Sequence, residues 1–324
     1  MKAILVGLGS AGYSWYKRLR DRGLLAAVVE ADPAMKDKMD GDSFPFYTSL
    51  EEALAHEEAG FLVNVTSPAS HTQVNHAAFD RGLPVLCEKP ISFDYPESIG
   101  IVARAAKENI PFMIAENYRR FPYVRKMKQL LDEDSIGAIS SIDISFRRYH
   151  RVQRKYAVRI LDDIGVHHFD MLRYLTGQEG RAVQAKLYNP PGGWEEEGAV
   201  QSANAIIEMD GGIIAGYAAT IASRGPQTQW SGDWRIEGTR GAMVLTGKEI
   251  RLYDDDGERL IPSCADVIER DTLTDFLISL ETGREAESSG SDYLLTQALV
   301  HYTNLSGESG GRMPVELPDL GKVT

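Results

Sequence analysis

The chain has 324 residues, a formal charge of −12, 43% hydrophobic and 25% charged side chains, a profile of a globular protein long enough for two domains with large cores. Its negative charge argues against nucleic acid or an anionic membrane surface as partner. Two cysteines, Cys87 and Cys264, are too few for a disulfide framework and fit a reducing, cytoplasmic setting, and no apolar run reaches transmembrane length.

The apolar run at 2–6 reads as a first strand rather than a signal peptide, because three glycines interrupt the chain directly after it and no cleavage-like site appears. Those glycines belong to Gly7-Leu8-Gly9-Ser10-Ala11-Gly12, which leads into a helical pattern near 11–22. Strand, G-x-G-x-x-G and helix in that order describe a dinucleotide cradle. The first glycine permits the tight turn, the second lets backbone approach a pyrophosphate, and the third lets helix and strand pack closely. Glu30 ends the next apolar run, at 24–30, where a carboxylate can bind a ribose 2′-hydroxyl. It would repel a 2′-phosphate, and Ala31 offers no compensating charge, so the expected cofactor is NAD; Lys36 and Lys38 are the residues that keep NADP as the less favoured option.

Further strands are expected at 61–66, 84–88 and 111–115, with helices near 48–56, 70–82 and 93–108. Alternating strands and helices imply a parallel, doubly wound sheet. Asn64-Val65-Thr66 matches a glycosylation sequon and reads as chance in this setting. After a helix near 121–133 the pattern changes to long alternating strands at 139–150, 181–188, 201–209 and 212–221, with Asp210-Gly211-Gly212 as a hairpin signal. Shorter strands at 233–237, 242–246 and 249–253 and helices near 270–282 and 291–305 come next. The expectation is an α/β chain: a Rossmann domain at 1–120, then an α+β domain at 121–324 built on an open, mostly antiparallel sheet. The last helix is a candidate to pack back on the first domain. One face of such a sheet needs helices or another subunit to cover it.

Three groups of residues can carry chemistry. Lys89, in Cys87-Glu88-Lys89-Pro90, stands at the carboxyl end of a predicted parallel strand, the edge where ligands of doubly wound sheets bind. A lysine there can stabilise an alkoxide; a surface turn lysine is the plain alternative. Asp163-Ile164-Gly165-Val166-His167 puts an acid and a histidine at i and i+4, on one side of a helix. An oriented imidazole can accept a proton at neutral pH, against the alternative of a capping aspartate and a core histidine. Asp162, Asp163, His167, His168 and Asp170 could also suggest a metal, but no partner cluster has ligand spacing, so none is expected. Arg147, Arg148, Arg151, Arg154, Lys155 and Arg159 form a basic island without an acid, either a solvated loop or a lid for a substrate carboxylate or phosphate. His71, after Pro68, is placed near the cofactor. His56, His76 and His301 read as structural or exposed, and Trp230 and Trp234 as sheet packing ahead of a sugar-stacking platform.

Together these segments, with Thr66-Ser67-Pro68, Asn117-Tyr118-Arg119-Arg120, Asp170 and Glu237-Gly238 with Gly241, resemble the glucose–fructose oxidoreductase / inositol dehydrogenase (Gfo/Idh/MocA) family over essentially the whole chain. The resemblance implies NAD(P)-dependent oxidation or reduction of sugars, cyclitols and related compounds, by a homodimer or homotetramer joined through the C-terminal sheet. It implies Lys89 and His167 as the catalytic pair with Asp163 completing them. Thr66, Ser67, Pro68, His71, Glu88, Lys89 and Asn117 join the glycine-rich turn and Glu30 as cofactor contacts. Lys89, Arg119, Arg148, His150, Arg159, Asp163, His167, His168 and Trp234 are the candidate substrate contacts. The lead-in Val158-Arg159-Ile160-Leu161-Asp162 departs from the family's glycine-rich version and points toward an altered, more cationic pocket. Two other readings remain open: a dinucleotide-binding sensor without turnover, and an enzyme that uses bound NAD for elimination or hydrolysis.

Overall fold

A computed structural model describes residues 1–152 and 156–320. The chain forms two compact units. The first comprises Met1–Glu116 with Thr272–Leu294 and the described residues from Pro318 on; the second comprises Asn117–Asp271 with Leu295–Leu317.

In the first unit, β1 (Ala3–Val6), α1 (Ser10–Asp21), β2 (Leu25–Val29), β3 (Phe46–Tyr47), α2 (Leu50–His56), β4 (Phe61–Asn64), α3 (Pro68–Phe79), β5 (Val85–Cys87), α4 (Tyr95–Lys107) and β6 (Phe112–Ile114) occur in order. The six strands are all parallel, in the order β3-β2-β1-β4-β5-β6. This is the doubly wound arrangement, and the winding reverses between β1 and β4, where a ligand crevice opens beyond the carboxyl ends. The strands read as unbroken apolar runs because both faces are covered; all four residues of β1 and of β4 are buried. Helix starts reflect local capping chemistry: Ser49 accepts the Glu52 N–H at α2 and Asp94 accepts the Glu97 N–H at α4. The expected helix at 70–82 begins earlier, because Pro68 occupies its first turn. The distant helix Thr272–Thr282 adds Leu273 and Phe276 to this core, Phe276 edge-on to Phe61 with ring centroids 5.7 Å apart.

The second unit contains α5 (Pro122–Asp132), β7 (Ile139–Arg147), α6 (Val166–Thr176), β8 (Gly180–Tyr188), β9 (Ser202–Met209), β10 (Ile214–Thr220), β11 (Asp233–Gly238), β12 (Ala242–Thr246), β13 (Glu249–Asp254), β14 (Gly257–Leu260) and β15 (Met313–Pro314). They form one nine-stranded sheet, β14-β13-β12-β11-β7-β10-β9-β8-β15. Every pairing is antiparallel except β7 with β10. Alternation is clean: Ile142, Ile144 and Phe146 of β7 are buried while Asp143 and Arg147 face out. Gly212, at φ +83°, supplies the left-handed residue of the β9–β10 hairpin. The strand expected at 139–150 ends at Arg147; beyond it only Tyr149 bridges, to Ala222. The short strands β3, β14 and β15 and the 3₁₀ turn Pro33–Met39 had no signal in the sequence pattern. Among the described residues no helix is long and apolar enough to cross a membrane.

Candidate active site

In the first unit, three turns follow the carboxyl ends of β1, β4 and β5. In the glycine-rich turn, Gly7 sits at φ +101° and a Cβ on it would come within 2.6 Å of the Val65 carbonyl oxygen. A Cβ on Gly12 would lie 2.3 Å from the Gly7 carbonyl oxygen. Gly9 differs: a Cβ there would meet nothing within 4 Å. Backbone close packing therefore explains Gly7 and Gly12, whereas the space over Gly9 is left for a ligand to approach. Gly9 also caps α1 without a side chain, and no acid stands in that helix's first turn, so the N–H groups around exposed Ser10 and Ala11 suit a pyrophosphate. The residues present fit a dinucleotide.

Glu30 has a second task. Its carboxylate accepts the Leu8 N–H at 2.7 Å and the Asp32 N–H at 3.1 Å, so it fixes the turn to the end of β2. A carboxylate has further lone pairs to offer a ribose hydroxyl. Lys38 donates to the Leu8 carbonyl at 3.2 Å and is thus tied into the same turn.

The Thr66-Ser67-Pro68 turn is held from below: Thr66 Oγ1 donates to Asn64 Oδ1 at 2.8 Å, and Ser67 stands at the N-cap position of α3 without a side-chain capping bond. Lys89 comes after Glu88, whose carboxylate accepts the Trp15 indole N–H at 2.8 Å, so α1 and the lysine turn are joined. His71 requires a correction. It is fully buried, with Nδ1 2.7 Å from the Pro90 carbonyl and Nε2 3.1 Å from the Thr66 carbonyl. Both ring edges are occupied by protein, so it braces the two turns rather than touching a cofactor. Burial holds its pKa below the ordinary histidine value, partly offset by the two carbonyls. Cys87, one residue before Glu88, is a free buried thiol pushed far up by desolvation and is inert. Asn117 is exposed and opens the second unit.

In the second unit, Leu161–Gly165 forms a π-helical turn that runs into α6, a local irregularity frequent at functional sites. Asp163 and His167 are both buried, one on the turn and one on the helix. A Cβ on Gly165 between them would come within 2.9 Å of Leu161 Cδ2 and 3.3 Å of the Tyr217 hydroxyl, so a larger residue there would need the Leu161 side chain to move. Tyr118, from the turn Tyr118–Arg120, stacks flat on His167 with ring centroids 4.0 Å apart and planes 11° from parallel. Local pattern marks Tyr118 as part of Asn117-Tyr118-Arg119-Arg120 and gives it no role, because its partner lies far along the chain.

Three expected substrate contacts have structural work instead. Arg119 forms a bidentate pair with Asp170; both are buried, and Asp170 also accepts from Thr296. His168 is fully buried between the Tyr217 hydroxyl (2.9 Å from Nδ1) and the Trp230 carbonyl (2.8 Å from Nε2). Trp234 is in the core of the sheet, donating its indole N–H to the Ser231 carbonyl. Each fails as a substrate contact because its polar atoms are engaged inside the protein. Arg159 is half-buried and pairs with Glu308 at 3.0 Å and with Asp162 at 3.5 Å, anchoring the lead-in loop. Arg148 and His150 both lie against Trp230, the guanidinium carbon 4.4 Å from the ring centroid and the imidazole edge-on at 4.9 Å. Arg154 and Lys155 of the basic island lie outside the described residues.

The model for the "Oxidoreductase family, NAD-binding Rossmann fold" matches residues 1–116, and that for the "GFO/IDH/MocA C-terminal domain" matches 124–244. A D-apiose dehydrogenase of Paraburkholderia graminis is 25% identical, over 98% of this chain and 90% of its own. An inositol 2-dehydrogenase of Rhizobium meliloti is 25% identical, over 85% of this chain and 86% of its own. The crystal structure of an oxidoreductase from Agrobacterium radiobacter, in complex with NAD+, L-tartaric acid and magnesium, shares the fold with a TM-score of 0.88 at 20% identity, covering 97% of this chain and 98% of that one.

Proposed function

The chain belongs to the Gfo/Idh/MocA family of oxidoreductases, and from that premise we propose that it oxidises a secondary alcohol of a sugar, cyclitol or related polyhydroxy compound, or reduces the matching ketone. The observation that carries this reading is the brace between α1 and the lysine turn. The helix that opens the phosphate cradle holds Glu88 through Trp15, and Lys89 is the next residue. On this reading one helix serves both the cofactor's phosphate end and the turn that carries Lys89.

NAD supplies the hydride acceptor. His167 takes the hydroxyl proton on a ring nitrogen, Asp163 orients that imidazole and steadies its charged form, and the Lys89 ammonium stabilises the developing alkoxide. The two free cysteines suit a cytoplasmic setting. Ile206 and Ile214, exposed on neighbouring β9 and β10, suit burial against a second copy of the chain.

The test is NAD reduction at 340 nm across cyclitols, neutral sugars, uronic acids and sugar phosphates, with wild type beside Lys89→Met. Absorbance that rises in the wild type and fails in the variant, with NADH still bound by both, supports the proposal. A wild-type signal that survives in Lys89→Met removes the lysine from the mechanism. Product formed without any change at 340 nm replaces the reading with bound-cofactor elimination or hydrolysis.

A further inference from the structure

Within the basic island, Arg148 differs from the other buried or half-buried arginines whose partners are described. In the second unit, most buried or half-buried arginines near His167 answer an acid: Arg119 answers Asp170, Arg173 answers Glu179, and Arg159 answers Glu308. Arg148 does not. Among the described residues no carboxylate pairs with it. One of its guanidinium nitrogens, Nη1, donates to the Thr228 carbonyl at 2.5 Å, while its buried Nε has no hydrogen-bond partner. An ionised donor without a counter-charge is costly, and the whole segment from Ile144 to Leu161 contains no acid in a chain of net charge −12.

Arg148 is also held in place. Its backbone N–H donates to the Thr220 carbonyl and its carbonyl accepts the Ser223 N–H, each at 3.0 Å. Its guanidinium lies over the Trp230 ring at 4.4 Å, a cation–π contact that fixes the plane of the fork. His150 meets the same ring edge-on. The Trp230 carbonyl is in turn bound by His168, the neighbour of His167 in α6. A short chain of contacts therefore links the pre-oriented cation to the helix that carries the proposed base.

We propose that Arg148, held on Trp230, is a specificity-determining residue that receives an oxyanion of the substrate, a carboxylate or a phosphate monoester, so that the preferred substrate is an acidic sugar derivative rather than a neutral one. The guanidinium donors not engaged by Thr228 suit a planar carboxylate or two phosphate oxygens. The proposal rests on the hydride-transfer reading for what becomes of the bound molecule, but not for the binding itself.

The experiment uses the NAD-saturated protein, wild type, Arg148→Gln and Arg148→Lys. Binding is measured by calorimetry and turnover at 340 nm. The probes are D-glucuronate, D-galacturonate and D-glucose 6-phosphate, beside D-glucose, D-galactose and myo-inositol. At least one acidic probe is expected to bind about tenfold or more tighter than its neutral counterpart, which corresponds to about 1.4 kcal/mol. Which arm does so, uronate or phosphate, identifies the oxyanion. Arg148→Gln is expected to bring that ratio down to within about twofold, and Arg148→Lys to restore part of it, because the charge returns without the fork. Acidic probes that bind no better than neutral ones, or a ratio that persists in Arg148→Gln, overturn the proposal. Acid binding through Arg148 with no NADH formed upholds the anion site and overturns hydride transfer. Oxidation of neutral sugars alone, with no acid preference, does the reverse.

Discussion

The turns of the first unit and the π turn with α6 in the second are built by different means. The first take their shape from backbone, glycines where a Cβ would collide and a helix N-terminus, and side chains tie the turns together: Glu30 on the Leu8 N–H, Trp15 on Glu88, and His71 set between two carbonyls. The second is made of side chains brought from afar, with Tyr118 on His167, Arg119 on Asp170 and Tyr217 on His168. A backbone site tolerates few residue types at fixed spacing. A side-chain site can be assembled from any part of the chain that the fold delivers.

The sharpest contrast lies within the second region. His167→Ala should lower kcat by at least about 10²-fold while NADH binding persists, since a general base contributes about 10²–10⁴; fluorescence titration with NADH separates the two effects. Wild-type turnover in this variant would end the base assignment. Asp170→Ala should act on stability instead. It strands the Arg119 cation in a buried site and should cost about 3–5 kcal/mol in a urea melt. A loss below about 1 kcal/mol would mean that water reaches this pair.

The glycines separate collision from approach. Gly9→Val should leave the melting temperature within a few degrees of wild type yet weaken NAD about tenfold or more, because its side chain enters open space. Gly12→Val should lower the melting temperature itself, having the Gly7 carbonyl 2.3 Å from its Cβ. Equal melting temperatures in the pair would refute the distinction. A smaller effect is expected at the stack: Tyr118→Leu should lower kcat several-fold at little change in the KM for NAD, and Tyr118→Phe, which keeps the ring, should recover most of it.

The smallest effect concerns pH. His71 has a folded pKa below its unfolded value near 6.5 because it is buried. The unfolded state therefore binds the proton first, and stability falls as pH drops below about 6.5. His71→Asn should flatten that slope in urea midpoints taken between about pH 7 and pH 5. An unchanged slope would assign the loss to other groups.

How much was legible in the sequence obeys the same division. The order of strands and helices in the first unit, the cradle and the lysine turn could be read because period, glycine spacing and local capping act within a few residues. The open sheet could be read from alternation at β7 to β10. Strand β15 and the π turn could not, since a two-residue strand and one extra residue in a helical turn leave no periodic trace. Of the candidate substrate residues, sequence could name Arg119, Arg148, Arg159, His168 and Trp234 only by type and position. Their fates differ by partner. Arg119 meets Asp170 51 residues on, and Arg159 meets Glu308 149 residues on.

Sequence alone thus determined the two architectures, the dinucleotide cradle and the family, because each depends on residues that act through their immediate neighbours. Only the tertiary structure decided which cations meet an acid inside the protein and that Arg148 lies on Trp230 instead, that His71 is a brace, and that Tyr118 covers His167. Those outcomes depend on what long-range folding sets against each side chain, and pairing and desolvation are set by the neighbours in space.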